Sequence, residues 1–464
     1  MIQSAWQNLT LSRLPAYRWR TGSYLWRCVA FVSQWRDGSW LLTYGGEALA
    51  IALIGIVLIV GPFVSTALIG VLLLAMGAYW ALITLTDRDS MGYGVTPIHY
   101  LVFLYWAIAA LATAFSPVER AALSGLVILT LYLFLFLLSA QVLRSPSTRN
   151  WTIAIFLLVA LLVSAYGIRQ EIYGVEQLAT WNDPESLLAD DTRVYSYLGN
   201  PNLLASYLLP AIALSGAALF VWPKWLPKAL AGTMLFCNLA CLYYTDSRGG
   251  WLAALALLLT FGGLLYYWWR DRLPLFWQTW LLPLVLGGFA VLLLGAIAVV
   301  EPLRLRVMSI FAGREDSSNN FRINVWDAVF RMIGDRPVFG IGPGHDAFNA
   351  VYPLYMKTGY TALSAYSIYL EHIVEMGFLG FGAFLWLIVV TFNQGALALR
   401  ALQMQNRVQG FWLIGAIAAT VGLLAHGLFD TVWYRPQIHC LWWLMLGLIA
   451  SFYPTIIRKQ DSLS

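Results

Sequence analysis

Apolar runs of about 20 residues recur along the whole chain, and no other feature restricts its fold as strongly. At 1.5 Å per residue, a helix of that length crosses a hydrocarbon core of about 30 Å. About twelve such runs can be marked: 44–62, 65–85, 98–116, 121–143, 150–170, 200–222, 228–246, 249–269, 276–299, 378–398, 410–430 and 437–456. Charged residues make up 11% of the chain, less than half the share of about a quarter usual in soluble proteins. A transmembrane β-barrel would show short segments of alternating polarity instead. The expected fold is an all-α polytopic membrane protein.

Lys and Arg in the short loops set the expected orientation. One set of alternate loops carries Arg144 and Arg149, Lys224 and Lys228, Arg270 and Arg272, and Arg400 and Arg407, and the opposite loops are poorer in both. This places both termini in the cytoplasm. The expected organisation is a basic N-terminal arm over 1–43, nine spans over 44–300 with an outer acidic loop at 171–199, a large periplasmic loop over 301–377, three spans over 378–456 and a cytoplasmic tail over 457–464. The arm has no apolar segment of signal-peptide type and is expected to lie on the inner leaflet. The modest net charge of +5 reflects this loop bias and gives no reason to expect nucleic acid as a partner. Membrane lipid is the expected one. Oligomeric state is left open.

The long polar interval Glu301–Tyr366 carries Arg304, Arg306, Arg314, Arg322, Arg331 and Arg336. Within it, Phe321, Val325, Val329 and Met332 recur at helical spacing, so FRINVWDAVFRMI reads as an amphipathic helix. Ser317, Ser318, Asn319 and Asn320 are its candidate N-caps, and Asp335-Arg336-Pro337 ends it. Arg322 falls in its first turn, where free backbone N–H groups also favour anions. A solvated face on a lid helix is the plainer alternative. Arg248, in TDSRGGWLAALAL, sits where two apolar runs meet at the outer side. An arginine at such a depth is costly and usually faces a polar cavity, and its planar fork suits phosphate oxygens. A snorkelling arginine in an interfacial turn is the alternative there.

Gly340-Ile-Gly342-Pro-Gly344 follows a helix rather than a strand, so it is no dinucleotide fingerprint. It reads as a bent re-entry toward the membrane. Beyond it come Phe348, Tyr352, Tyr355, Tyr360 and Tyr366, an interfacial aromatic belt or a stacking floor for sugars. A short helix over Ser364–Met376 precedes Gly377 and the tenth span. The five histidines show no metal-binding spacing, and no metal is expected. His426 and Asp430 lie one turn apart, which suits a structural hydrogen bond or a proton relay. Cys237 and Cys241, four residues apart, read as small buried hydrophobes, with a metal site as the alternative.

The stretches YSYLGNPNLLASYL, YTDSRGGW, GREDSSNNFRINVW, RPVFGIGPGHDAFNAVYPLY and SAYSIYLEHIVEMGFLG resemble the O-antigen ligase and polymerase superfamily of bacterial inner-membrane proteins. More closely, they resemble its cyanobacterial branch called IctB, proposed to act in inorganic-carbon accumulation. The resemblance covers nearly the whole chain. It implies about twelve helices with a large periplasmic loop before the tenth crossing, and a donor glycan carried on a polyprenyl diphosphate. Arg248 and Arg322 stand where the family's arginines would clamp the diphosphate. Arg314, Asn200, Asn202 and Tyr352 join them as candidate substrate-binding residues. No cofactor is implied, because a diphosphate leaves well once its charge is neutralised. The chain departs from the family where a His-Asn pair precedes Tyr-Leu and Glu-x-Gly: here Tyr366-Ser367 precedes Tyr369-Leu370 and Glu375-Met376-Gly377. A tyrosine of ordinary pKa is a poor base near pH 7, so His372 and Glu375 stand beside Tyr366 as catalytic candidates. Two functions are therefore expected to compete. One is metal-independent transfer of a polyprenyl-diphosphate-linked glycan to an acceptor hydroxyl. The other is bicarbonate transport or accumulation without glycosyl transfer.

Overall fold

The computed structural model describes residues 2–16, 19, 23, 30–64, 66–87, 94–176, 193–310 and 313–461. Positions 177–192, which hold most of the acidic loop, lie outside the described residues. So does much of the basic arm, including Arg18, Arg20 and Arg27.

The described residues form helices joined by turns. Their order is α1 (Ile2–Leu9), α2 (Gly46–Val60), α3 (Thr66–Leu85), α4 (Pro97–Ala114), α5 (Glu119–Val142), α6 (Pro146–Tyr173), α7 (Pro201–Val221), α8 (Trp225–Tyr244), α9 (Arg248–Trp269), α10 (Leu275–Val299), α11 (Glu301–Ile310), α12 (Ser317–Asp335), α13 (His345–Val351), α14 (Ile368–Met404), α15 (Gly410–His426), α16 (Pro436–Ala450) and α17 (Tyr453–Asp461). Among the described residues, 11 helices are long and apolar enough to cross a membrane. They fall on the sequence runs, with α15 as the shorter twelfth.

Burial separates the spans into an inner and an outer set. The most apolar stretch of α7 is 89% buried, and that of Pro436–Ile457 is 83% buried. The same measure is 0% for α10, which is exposed along most of its length. The shorter α15 is buried almost throughout and packs between α7 and α9 through small residues. A Cβ on Gly415 would lie 3.1 Å from Ala217, and one on Gly422 would lie 3.1 Å from Leu257. Small residues allow this close approach where lipid supplies no hydrophobic drive between helices.

The expected eleventh run, 410–430, ends as helix at His426. The chain then tightens through a bond from Phe429 N–H to the His426 carbonyl at 3.2 Å. The carbonyls freed at this end find partners across the bundle. Gly427 accepts from Ile368 N–H at 2.8 Å, Leu424 accepts from the Tyr369 hydroxyl at 3.1 Å, and Phe429 accepts from Arg322 Nε at 3.0 Å. A helix end buried in a bundle needs such partners. The early stop at His426 therefore supplies a contact surface for the polar interval.

That interval has a core of its own. Val325, Ala328, Val329 and Met332 on α12 pack with Ile341, Phe348 and Val351. The turn 336–344 is stitched to the end of the short helix that opens α14: Ile341 N–H donates to Val374 O and Gly342 N–H to Glu375 O, both at 2.9 Å. Ser116 Oγ donates to Ile341 O from the loop between α4 and α5 at 2.5 Å. The short helix begins at Ile368, with Ser367 as its N-cap, rather than at Ser364. It breaks at Gly377, where φ is 65° and ψ is −174°. At the other end of the chain, residues 2–16 dock on α14. Trp386 Nε1 donates to Leu9 O at 2.6 Å, and Asn393 Nδ2 donates to Ser12 Oγ at 2.9 Å.

Candidate functional site

Arg248 opens α9 behind the N-cap Ser247, whose hydroxyl accepts from Gly250 N–H at 3.2 Å. Its guanidinium makes a fork to one carboxylate: NH1 to Asp316 Oδ2 at 3.1 Å and NH2 to Asp316 Oδ1 at 2.9 Å. Asp316 is also the N-cap of α12, accepting from Asn319 N–H at 2.8 Å. The cap is thus the aspartate just before Ser317, Ser318, Asn319 and Asn320. A carboxylate there satisfies the helix donors, favours the positive end of the helix and pairs with the arginine at once.

Arg322 lies one turn into the same helix. Its NH1 donates to Ser318 Oγ at 2.8 Å while Nε holds the Phe429 carbonyl. Burial pulls its pKa down, Asp430 pushes it back up, and the charge of Arg248 pulls it down again. Arg248 and Arg322, from segments far apart in the chain, thus both bind the first turn of α12, through Asp316 and Ser318. His426 lies beside Gly249. The residue is 1% exposed, neither ring nitrogen has a hydrogen-bond partner, and a Cβ on Gly249 would lie 3.9 Å from its ring. Tyr366 has a left-handed backbone, φ 50°, and sets its ring edge-on to Phe321 at 5.6 Å. Burial and then Asp430 push its phenol above the ordinary value, so across physiological pH it is a hydroxyl donor.

The remaining candidates are engaged in local structure. Asn200 caps α7, accepting from Asn202 N–H at 2.8 Å and Leu203 N–H at 3.1 Å. Asn202 Oδ1 accepts from Arg193 NH2 at 3.2 Å. Arg314 lies on an exposed face with Asn320, Asn324 and Asp327, at 3.3–3.4 Å. Tyr352 is 1% exposed, and its hydroxyl donates to Tyr360 O at 2.6 Å. His372 and Glu375 line a cavity of about 100 Å³ with Glu371, Thr431 and Trp433. This cavity meets the arginine cluster at Asp430-Thr431, where Asp430 Oδ1 accepts from Thr431 N–H at 2.8 Å.

Asp316, Asp430 and Glu371 were not singled out as site residues by sequence, apart from the pairing of Asp430 with His426. For Asp316 a signal existed, since an acidic residue directly before an amphipathic run is a helix-start mark. Because Asn caps about as well as Asp, Asp316→Asn should keep α12 while removing the charge on the Arg248 fork. The expected result is unchanged thermal stability to within about 1 kcal/mol, read by calorimetry.

Among curated proteins, none matches the chain. A family model does: residues 233–385 match Wzy_C, described as O-Antigen ligase. The matched interval opens in α8, takes in Arg248, Asp316, Arg322, Tyr366, His372 and Glu375, and closes in α14. With the multi-span helical fold, this match supports an O-antigen ligase/polymerase-like membrane protein.

Proposed function

We propose that the protein binds a polyprenyl-diphosphate-linked glycan at the outward face of the plasma membrane and transfers the glycan to an acceptor hydroxyl. In this reading both termini face the cytoplasm. The observation that carries it is that Arg248 and Arg322 both bind the first turn of α12, through Asp316 and Ser318, since two guanidinium groups match the charge of a diphosphate. The lipid-exposed α10 and the apolar bundle suit a donor whose tail stays in the membrane. The acceptor oxygen forms a bond to the anomeric carbon. The bond from that carbon to the diphosphate oxygen breaks, and its electron pair stays on the diphosphate, where the arginines stabilise it. The hydroxyl proton passes to a carboxylate. Asp430 suits this role because it sits between Phe429, whose carbonyl Arg322 holds, and Thr431 on the cavity wall. Tyr366 serves as a hydroxyl donor to the departing diphosphate, and His372 and Glu375 face the acceptor.

The test uses the full chain in proteoliposomes with a radiolabelled short-chain polyprenyl-diphosphate disaccharide and a soluble oligosaccharide acceptor. Release of polyprenyl diphosphate with transfer of label to the acceptor is expected. Uptake of labelled bicarbonate without any diphosphate release would favour the carbon-transport function and contradict this reading.

A further inference from the structure

The turn that presents Arg248 is held from another segment of the chain. Helix α8 ends at Tyr244, and Thr245-Asp246-Ser247 leads directly into Arg248. A helix end buried in a bundle leaves carbonyls that need donors. Arg193 Nε donates to the Thr245 carbonyl at 3.1 Å, and Val194 N–H donates to the Tyr244 carbonyl at 3.3 Å. Inside the turn, where Thr245 and Ser247 are buried, Ser247 N–H donates to Thr245 Oγ1 at 3.3 Å. Asp246 has a left-handed backbone, φ 51°, which a residue other than glycine keeps only where its surroundings hold it. Beyond the turn, α9 is pressed onto its neighbours: a Cβ on Gly250 would lie 2.8 Å from Ala205 of α7 and 3.2 Å from Leu242 of α8.

Arg193 is itself anchored. Its NH2 donates to Asn202 Oδ1 at 3.2 Å, and Asn202 lies in the first turn of α7 behind the Asn200 cap. On α6, the Gln170 side chain accepts from Tyr195 N–H at 3.2 Å and from Ser196 N–H at 2.7 Å, and Ser196 Oγ donates to the Val163 carbonyl at 2.7 Å. A single guanidinium, 9% exposed, therefore ties the start of α7 to the end of α8, with α6 behind it. A planar fork suits that task, because it fixes direction as well as distance. The charge also stands at the negative end of α8, where a cation is favoured. Downstream of the turn, the Arg248 fork meets both oxygens of Asp316, at 3.1 and 2.9 Å. Such a two-point contact tolerates little displacement of the turn that carries it.

We infer that Arg193 is a positioning residue for the transfer reaction: by holding the Thr245 carbonyl it sets where the Arg248 guanidinium stands. Its part in transfer rests on the function proposed above. The test is a double-mutant cycle on the full chain in proteoliposomes, with the labelled polyprenyl-diphosphate disaccharide and the soluble acceptor. Arg193→Lys keeps the charge but not the fork, and should lower kcat about 100-fold, the scale of loss when a group is misplaced by about 1 Å. Asn202→Ala repeats the test with Arg193 in place and the Asn200 cap kept. It removes one hydrogen bond to a charged group, so a fall of about tenfold is expected. In an Arg248→Ala background neither change should lower kcat by more than about a further twofold, because both act through the missing side chain. A wild-type kcat in Arg193→Lys, or losses that simply add to that of Arg248→Ala, would overturn the inference. A cryo-EM map of Arg193→Lys in nanodiscs, without donor, gives a readout independent of transfer. The Arg248–Asp316 fork should be open there while α6, α7 and α8 keep their packing, and an intact fork would overturn the inference whatever the kinetics. If the wild type transfers no glycan and the fork still opens in the variant, the transfer reading fails while the hold of Arg193 on Arg248 stands.

Discussion

Arg322→Ala should lower glycan transfer by about 100-fold or more, because truncating one member of a partly buried charge set costs about 2–5 kcal/mol. Three losses combine in that substitution. The diphosphate loses a charged fork, Asp430 loses the cation that balances it, and the Phe429 carbonyl at the end of α15 loses its donor. The last loss is structural, so the measurement needs a control that keeps the fold and changes only the chemistry. Arg322→Lys supplies it. Lysine keeps the charge but cannot make a planar two-point contact, and a loss of about tenfold in transfer is expected. Thermal unfolding of both variants, alongside release of diphosphate from the donor, separates a broken site from a broken helix end. A wild-type transfer rate in Arg322→Lys together with a low one in Arg322→Ala would mean that charge alone matters at this position.

Gly377→Ala should have the second large effect, and it acts through the backbone. The residue combines φ 65° with ψ −174°, a region open essentially to glycine alone and costing about 1–3 kcal/mol for other residues. An added Cβ would also fall 2.0 Å from the Val338 carbonyl, so the turn 336–344 would have to move. That turn holds Val374 and Glu375 through their carbonyls, and with Gly344 and His345 it forms part of the cavity wall. Destabilisation of about 3 kcal/mol or more should appear as a fall of several degrees in the melting temperature. Gly382 is the control. It lies in the helical part of α14 with open space around its Cβ position, so Gly382→Ala should be neutral or slightly stabilising.

Much of the frame was legible because the bilayer simplifies the reading. Lengths near 20 apolar residues located the 11 long apolar helices among the described residues. The polar interval also gave up α12 from the spacing of Phe321, Val325, Val329 and Met332. Where the reading slipped, a distant partner had decided a local choice. The run 410–430 ends at His426 because Ile368 and Arg322 supply donors for its last carbonyls. The cap of α12 is Asp316, which also holds Arg248, 68 residues away in the chain. Nothing local in the sequence joins those two positions. Arg314 and Tyr352 were weighed by residue type, whereas burial and partners put one on an exposed polar face and the other inside the small core of the polar interval. The cavity around Glu371 and His345 is assembled from α4, α5, the glycine turn, α14, the segment before α16 and α16 itself. An assembly of so many separate segments has no sequence period to reveal it.

The two-arginine site is tested most directly by a cryo-EM map of the full chain in nanodiscs saturated with undecaprenyl diphosphate. Density for the diphosphate is expected between the Arg248 and Arg322 guanidinium groups, within hydrogen-bond distance of both, with the Asp316 carboxylate drawn away from Arg248. A headgroup resolved elsewhere on the protein, with the Arg248–Asp316 fork intact, would contradict it.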